Sequence, residues 1–141
     1  MSFVLDTNVI SEIRKGPARC NPHVWHWFDQ TPFEELFLSV VVLGEIRKGA
    51  ELKRKTDPAT TASLERWLRD LRAAYGQRIL PVTDEVCDLW GRLAATAKVP
   101  MSDGLIAATA QHRRMTVVTR NEADFQRVGV DYYNPFAGGK P

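Results

Sequence analysis

The chain has 141 residues, a formal net charge of +2, 44% hydrophobic and 26% charged residues; this fits one soluble globular domain with a proper core, spanning residues 1–141. Its longest apolar runs, such as Val40 to Leu43, are far too short to cross a bilayer, and no leader-like segment precedes the first apolar run, so neither a membrane nor a secreted protein is expected. Cys20 and Cys87 have no partner spacing, which predicts free thiols in a reducing cytoplasm and excludes a disulfide scaffold.

Phe3 to Leu5 reads as a short buried strand that stops at a carboxylate, Asp6. Asn8 is expected to cap a helix from Val9 to Lys15, which Gly16-Pro17 ends. Asn21-Pro22 opens a second helix, with Asn21 as cap and Val24, Trp27 and Phe28 on its apolar face. His23 and His26 lie three apart on it, but two histidines without a third ligand nearby make a weak metal pair. Leu36 to Leu38 is the second strand, and Ser39 caps a helix from Val40 to about Arg54. Helical spacing puts Glu45 on that helix's apolar face with Val41, Val42 and Ile46, where an unpaired carboxylate is costly. Gly44 and Gly49 inside it imply close packing, since each costs about 1 kcal/mol relative to Ala.

The same helix ends in Arg47, Lys48, Lys53, Arg54 and Lys55 against a single Glu51. Such cations suit a helix C-terminus, and they equally suit a passing phosphate backbone. Asp57 to Thr61 reads as a polar link before a long amphipathic helix that Gly76 ends. Ile79 to Val82 is a third strand, placed at an end or edge by Pro81. Thr83 caps the next helix, with Val86, Trp90, Leu93, Ala94 and Ala97 on its apolar face. Ser102 is expected to cap a buried helix whose first turn carries Asp103. Met115 to Thr119 is the fourth strand, Asn121 caps another helix, and Val130 to Tyr133 is a fifth, edge strand. Residues 134–141 form a Pro/Gly-rich tail whose end is expected to be loose.

Strands alternate with helices throughout, so the fold class is α/β with a mainly parallel sheet of four or five strands. In such sheets ligands bind outside the carboxyl ends of the strands. Asp6, Asp103, Asn121 and Asp124 all stand at strand ends or helix starts, and Glu45 lies on a helix face. Clustered carboxylates repel unless a cation or protons neutralise them. Hard oxygen ligands without His or Cys suit Mg²⁺ or Mn²⁺, ions that activate water and stabilise charge at phosphorus. Metal-dependent phosphodiester hydrolysis without a covalent intermediate is the chemistry expected, because Thr7, Ser11 and Cys20 lack a paired histidine.

The chain resembles a known family on five stretches in the same order. These are Val4 to Glu12 (VLDTNVISE), Ser39 to Gly49 (SVVVLGEIRKG), Asp103 to Ala110 (DGLIAATA), Thr119 to Phe125 (TRNEADF) and Asn134 to Phe136 (NPF). They are similar to the motifs of PIN-domain ribonucleases, and within these to the VapC/FitB-type toxins of prokaryotic toxin–antitoxin pairs. The resemblance implies a PIN-like α/β/α sandwich and Asp6, Glu45 and Asp103 as catalytic, metal-binding acids. It also implies Mg²⁺ with Mn²⁺ as a substitute, an RNA substrate such as a tRNA or rRNA loop, a homodimer, and a VapB-type antitoxin that occupies the groove. Some members carry a fourth acid where this chain has Asn121, so Asn121 and Asp124 are candidates to border the metal site. Arg47, Lys48, Lys53, Arg54 and Lys55 are candidates to hold RNA phosphates. Two other readings compete. A haloacid-dehalogenase-type phosphatase needs a second Asp where Asn8 stands. A PIN-fold module that only binds a partner would be favoured by loss of Asp6 or Asp103, and both are present.

Overall fold

A computed structural model describes all 141 residues. Five strands form one sheet: β1 (Phe3–Leu5), β2 (Leu36–Ser39), β3 (Ile79–Leu80), β4 (Thr116–Val118) and β5 (Tyr132–Tyr133). Their spatial order is β3-β2-β1-β4-β5, and every neighbouring pair is parallel. Seven α-helices connect them: α1 (Thr7–Ile13), α2 (Pro22–Gln30), α3 (Val40–Lys53), α4 (Pro58–Tyr75), α5 (Asp84–Thr96), α6 (Met101–His112) and α7 (Glu122–Val128). Neighbouring residues of a strand point to opposite faces, yet Phe3, Val4 and Leu5 are all buried. The central strand is therefore covered on both sides, which is the three-layer α/β/α arrangement. No helix is long and apolar enough to cross a membrane.

The strand order explains where a site can form. The chain moves from β1 outward to β2 and β3, then returns to the other side of β1 for β4 and β5. The connections thus diverge between β1 and β4, and the crevice beyond their carboxyl ends is the topological switch point. Register does the rest. Leu5 pairs with Val118, and the Asp6 N–H donates to the Val118 carbonyl at 2.9 Å. Asp6 and Thr119, one residue past each strand, are thereby neighbours.

All five strands fall where the apolar runs predict, with β3 and β5 at the edges. Several helix starts differ. Asp6, not Asn8, caps α1: its Oδ1 accepts from the Thr7 N–H at 2.8 Å. The residues 57–61 are no link, because Asp57 caps α4 by accepting from the Thr60 N–H at 3.1 Å, and Pro58 is the first helical residue. α6 begins at Met101 after Pro100, so Ser102 lies inside its first turn and does not cap it. The tail is tied down further than its composition suggests. Asn134 caps a short turn over Pro135–Ala137, and the Tyr133 hydroxyl donates to the Gly139 carbonyl at 2.8 Å.

Candidate metal centre at the carboxyl edge of the sheet

Asp6 is 4% exposed and its carboxylate is held from three sides. Besides the Thr7 N–H, its Oδ2 accepts from the Thr119 hydroxyl at 2.7 Å and from the Asn8 amide at 3.2 Å. Asn8 is free to do this because it does not cap α1; its Oδ1 accepts from the Arg120 N–H at 3.0 Å and so ties the ends of β1 and β4 together. Thr119 is fully buried, and its hydroxyl also accepts from the Asn121 N–H at 2.9 Å. It accepts from the Asn8 amide at 3.5 Å as well, so the donor and both lone pairs of that hydroxyl are engaged within the crevice.

Glu45 arrives from α3. Its Oε1 accepts from the Thr7 hydroxyl at 2.7 Å, so the first turn of α1 fixes the rotamer of an acid 38 positions along the chain. Asp103 arrives from the first turn of α6, and its Oδ2 accepts from the Asn121 amide at 3.1 Å. The same Asn121 amide donates to Asp124 Oδ2 at 2.8 Å, while Asn121 Oδ1 caps α7 through the Asp124 N–H at 3.4 Å. Arg127 pairs with the other Asp124 oxygen at 2.9 Å.

Burial pushes the Asp6 carboxyl above its usual range, against the hydrogen bonds from Thr119, Thr7 and Asn8, and the charge of Glu45 adds to the rise. Asp103 is pushed up to about 7, first by burial, then by a hydrogen bond shared with Asp124, then by the charges of Asp6, Asp124 and Glu45. Asp124 moves the other way, held low chiefly by the Asn121 amide and then by Asp103 and Arg127. The structure therefore brings Asp6, Glu45, Asp103, Asn121 and Asp124 to one notch in which the carboxylates feel one another's charge.

Residues 3–131 match the profile of the PIN domain. The chain belongs to the PIN-domain family. It is similar to toxin FitB of Neisseria gonorrhoeae, at 32% identity over 140 residues that cover 95% of this chain and 98% of that protein. VapC ribonuclease Y4jK of Sinorhizobium fredii is 34% identical over 95% of this chain and 97% of its own length. The crystal structure of FitAcB from Neisseria gonorrhoeae superposes with a TM-score of 0.83 at 30% identity, covering 95% of this chain and 98% of that one. Within the PIN domains the chain thus stands among toxins of the FitB/VapC type.

In this PIN domain no three Asp, Glu, His or Cys side chains converge tightly enough to chelate an ion directly. The donor set still fits one kind of ion. Mg²⁺ keeps several of its waters and is held by one or two carboxylates plus substrate phosphates, not by an all-protein cage. Asp6, Glu45, Asp103 and Asp124 offer only hard oxygen donors, the kind that Mg²⁺ takes.

The other candidates separate. Arg47 Nη1 pairs with Glu65 at 2.7 Å and Glu51 at 3.3 Å, and Arg54 Nη2 pairs with Glu51 at 2.6 Å and Glu65 at 3.2 Å. Two arginines face two acids, where local sequence shows only Glu51 beside them. Lys48, Lys53 and Lys55 enter no such network and are exposed. Gly44 has open space where a Cβ would stand, and Gly49 meets only Leu64 at 4.0 Å, so close packing does not explain either glycine. The close approach is at Gly104 instead, where a Cβ would lie 2.9 Å from the Trp90 indole. Trp25 pairs with Phe28 at 5.4 Å between ring centroids and is half-buried. His23 and His26 line a separate cavity of about 500 Å³ with Met1 and Phe3, at the opposite end of β1 from Asp6. Sequence reasoning weighed Thr7 only as a nucleophile and passed over Thr119; the signal for Thr119 was its place one residue past β4, beside Asp6 in parallel register.

Proposed function

We propose that this PIN-domain protein is the toxin of a type II toxin–antitoxin pair and acts as a Mg²⁺- or Mn²⁺-dependent endoribonuclease. The observation that carries this reading is the convergence of Asp6, Glu45 and Asp103 on the switch-point crevice, each clamped by an uncharged donor: Thr119 and Asn8, Thr7, and Asn121 in turn. The names of the relatives, a toxin and a ribonuclease, support it. So does the fact that no hydroxyl or thiol at the notch bonds a histidine: the Thr7 hydroxyl donates to Glu45, Cys20 is buried elsewhere, His23 and His26 line the opposite cavity, and His112 stands at the far end of α6 from Asp103.

In this reading Asp6, Glu45 and Asp103 would hold the divalent cation in part through its own waters, and the cation would supply an activated water and neutralise charge on the scissile phosphate. Thr119, Asn8 and Thr7 keep the carboxylates in place before substrate arrives, so little reorganisation accompanies the reaction. Asn121 donates to Asp103 and Asp124 and would hold those two acids beside the ion. Lys48, Lys53 and Lys55, which form no ion pair with an acid, lead RNA phosphates toward the notch, and Arg47 and Arg54 contribute less because Glu51 and Glu65 hold them. A single-stranded tRNA or rRNA loop is the substrate shape that bends into such a notch. An antitoxin of the VapB type covers the same crevice, and the toxin works as a homodimer in the cytoplasm.

The test is RNA cleavage by the purified, partner-free protein with and without Mg²⁺. Cleavage is expected to need the cation, and Asp6→Asn or Asp103→Asn is expected to lower the rate about a hundredfold or more while the protein stays folded. Full activity in excess EDTA would sink the reading.

A further inference from the structure

Beyond the acidic notch, the C-terminal end of α1 carries a second feature that the proposed chemistry does not use. Ser11, Arg14, Lys15 and Arg19 line a shallow, open pocket of about 320 Å³ with no hydrophobic residue in its wall. Cations at a helix C-terminus suit the macrodipole, but that does not account for what Arg14 does. Its guanidinium is drawn away from its own helix, stacks over the Trp67 ring at 4.6 Å, and donates to the Ser63 hydroxyl at 2.6 Å. Packing against α4 thus holds it in one place, with most of its five N–H donors still unspent. Arg19 lies outside any helix, in the turn whose backbone is fixed by the bond from its N–H to the Gly16 carbonyl at 3.2 Å. The acid at this end, Glu12, accepts from Lys15 at 2.9 Å and from the Asn21 N–H at 2.9 Å. It balances one cation of three.

The pocket and the notch share a flank. Thr7 and Ser11 on α1 and Arg14, which caps its C-terminus in helical conformation, follow i, i+4, i+7 spacing, so their side chains start along one line. Thr7 donates to Glu45 at one end, and Arg14 is anchored on α4 at the other. Seven residues at 1.5 Å each separate them by about 10 Å, a distance a nucleic-acid strand spans in a few nucleotides. This contrasts with the cluster on α3, where acids match both arginines.

We propose that the Ser11–Arg14–Lys15–Arg19 pocket is a phosphate subsite that grips the RNA strand a few nucleotides from the bond lying in the acidic notch. The inference rests on the ribonuclease reading and deepens it. The subsite fixes which way the strand runs across α1, and it supplies affinity that does not depend on the cation.

The experiment is binding of a labelled, mixed-sequence single-stranded RNA oligonucleotide to the Asp103→Asn protein over a series of salt concentrations, so that affinity is read without cleavage. Arg19→Glu reverses a charge whose only fixed bond is from the backbone. Ser11→Glu places a charge in the same pocket on an exposed helix position. Both are expected to weaken binding about tenfold or more at low salt, and Arg19→Glu is expected to lower the slope of log affinity against log salt by about 0.7 to 1. Arg92→Glu on α5, paired only with Asp88, is expected to change neither. Thermal melts check that each variant is folded. If both pocket variants bind like their parent while the wild-type protein cleaves RNA, the subsite is refuted and the ribonuclease reading stands. If the wild-type protein neither binds nor cleaves RNA, both fail. If the pocket variants keep RNA affinity but lose a co-expressed antitoxin, the pocket holds protein carboxylates, and the proposal is overturned.

Discussion

Asn121 sits between two carboxylates and touches both, donating to Asp103 at 3.1 Å and Asp124 at 2.8 Å. It also caps α7, so its two functions are carried by different atoms: Oδ1 serves the helix and Nδ2 serves the acids. A carboxylate there keeps the cap and loses the donor. Asn121→Asp therefore puts a third negative charge against Asp103 and Asp124, which destabilises the protein in EDTA and favours a bound cation. The expected result is a lower melting temperature without metal and a lower Mg²⁺ concentration for half-maximal RNA cleavage. Asp124→Asn removes a charge and is expected to raise that concentration. Cleavage rate against metal concentration, with melts alongside, checks both. Coincident cleavage curves with shifted melts would mean that the two residues only cap α7.

At the scale of elements, α3 and α6 meet the notch with glycines beside the acids, and the two glycines differ. Gly44 precedes Glu45 with open space at its missing Cβ, so Gly44→Ala is expected to stabilise α3 by about 0.5–1 kcal/mol and to raise the melting temperature by a few degrees. Gly104 follows Asp103, where a Cβ would meet the Trp90 indole at 2.9 Å; Gly104→Ala is expected to cost about 1–3 kcal/mol as α5 is pushed off α6. Opposite signs in paired thermal melts are the check. The same contrast shows what one chain of letters can and cannot carry. All five strands were legible, because a buried parallel strand is an apolar run whatever surrounds it. The acids were legible as strand ends and helix starts. Caps were less so: Asp6, Thr7 and Asn8 are all acceptable caps, and only the pairing of β1 with β4 decides that Asp6 takes the role and leaves Asn8 to bridge to Arg120. The pairing of Arg47 with Glu65, 18 positions away on the next helix, and the contact of Gly104 with Trp90 depend on how helices lie together. No local spacing encodes either.

For the molecule as a whole, the notch is a place where folding brings negative charge together, and this sets how stability depends on pH. Asp6 and Asp103 both have carboxyls raised above the unfolded value of about 3.9, Asp103 to about 7. A folded state that holds a proton more tightly than the unfolded chain gains stability as pH falls. The contribution is fully present below about pH 4 and is lost as pH rises through about 7. Acids with lowered values, such as the exposed Glu51 and Asp57, act in the opposite sense, but only below about pH 4.5, and their solvent-screened pairs are weak. The two windows do not overlap, so in EDTA the melting temperature is expected to fall between pH 5 and pH 8. A divalent cation competes with the protons and binds the charged notch best. Mg²⁺ is then expected to raise the melting temperature at pH 8 and to change it little at pH 5. Asp103→Asn removes a charge that must otherwise be buried, so it is expected to flatten the pH dependence and abolish most of the Mg²⁺ shift. Melts of the two proteins at both pH values, with and without Mg²⁺, decide it. A wild-type melting temperature that is level from pH 5 to 8, with the same response to Mg²⁺ throughout, would show that the carboxylates do not share one field.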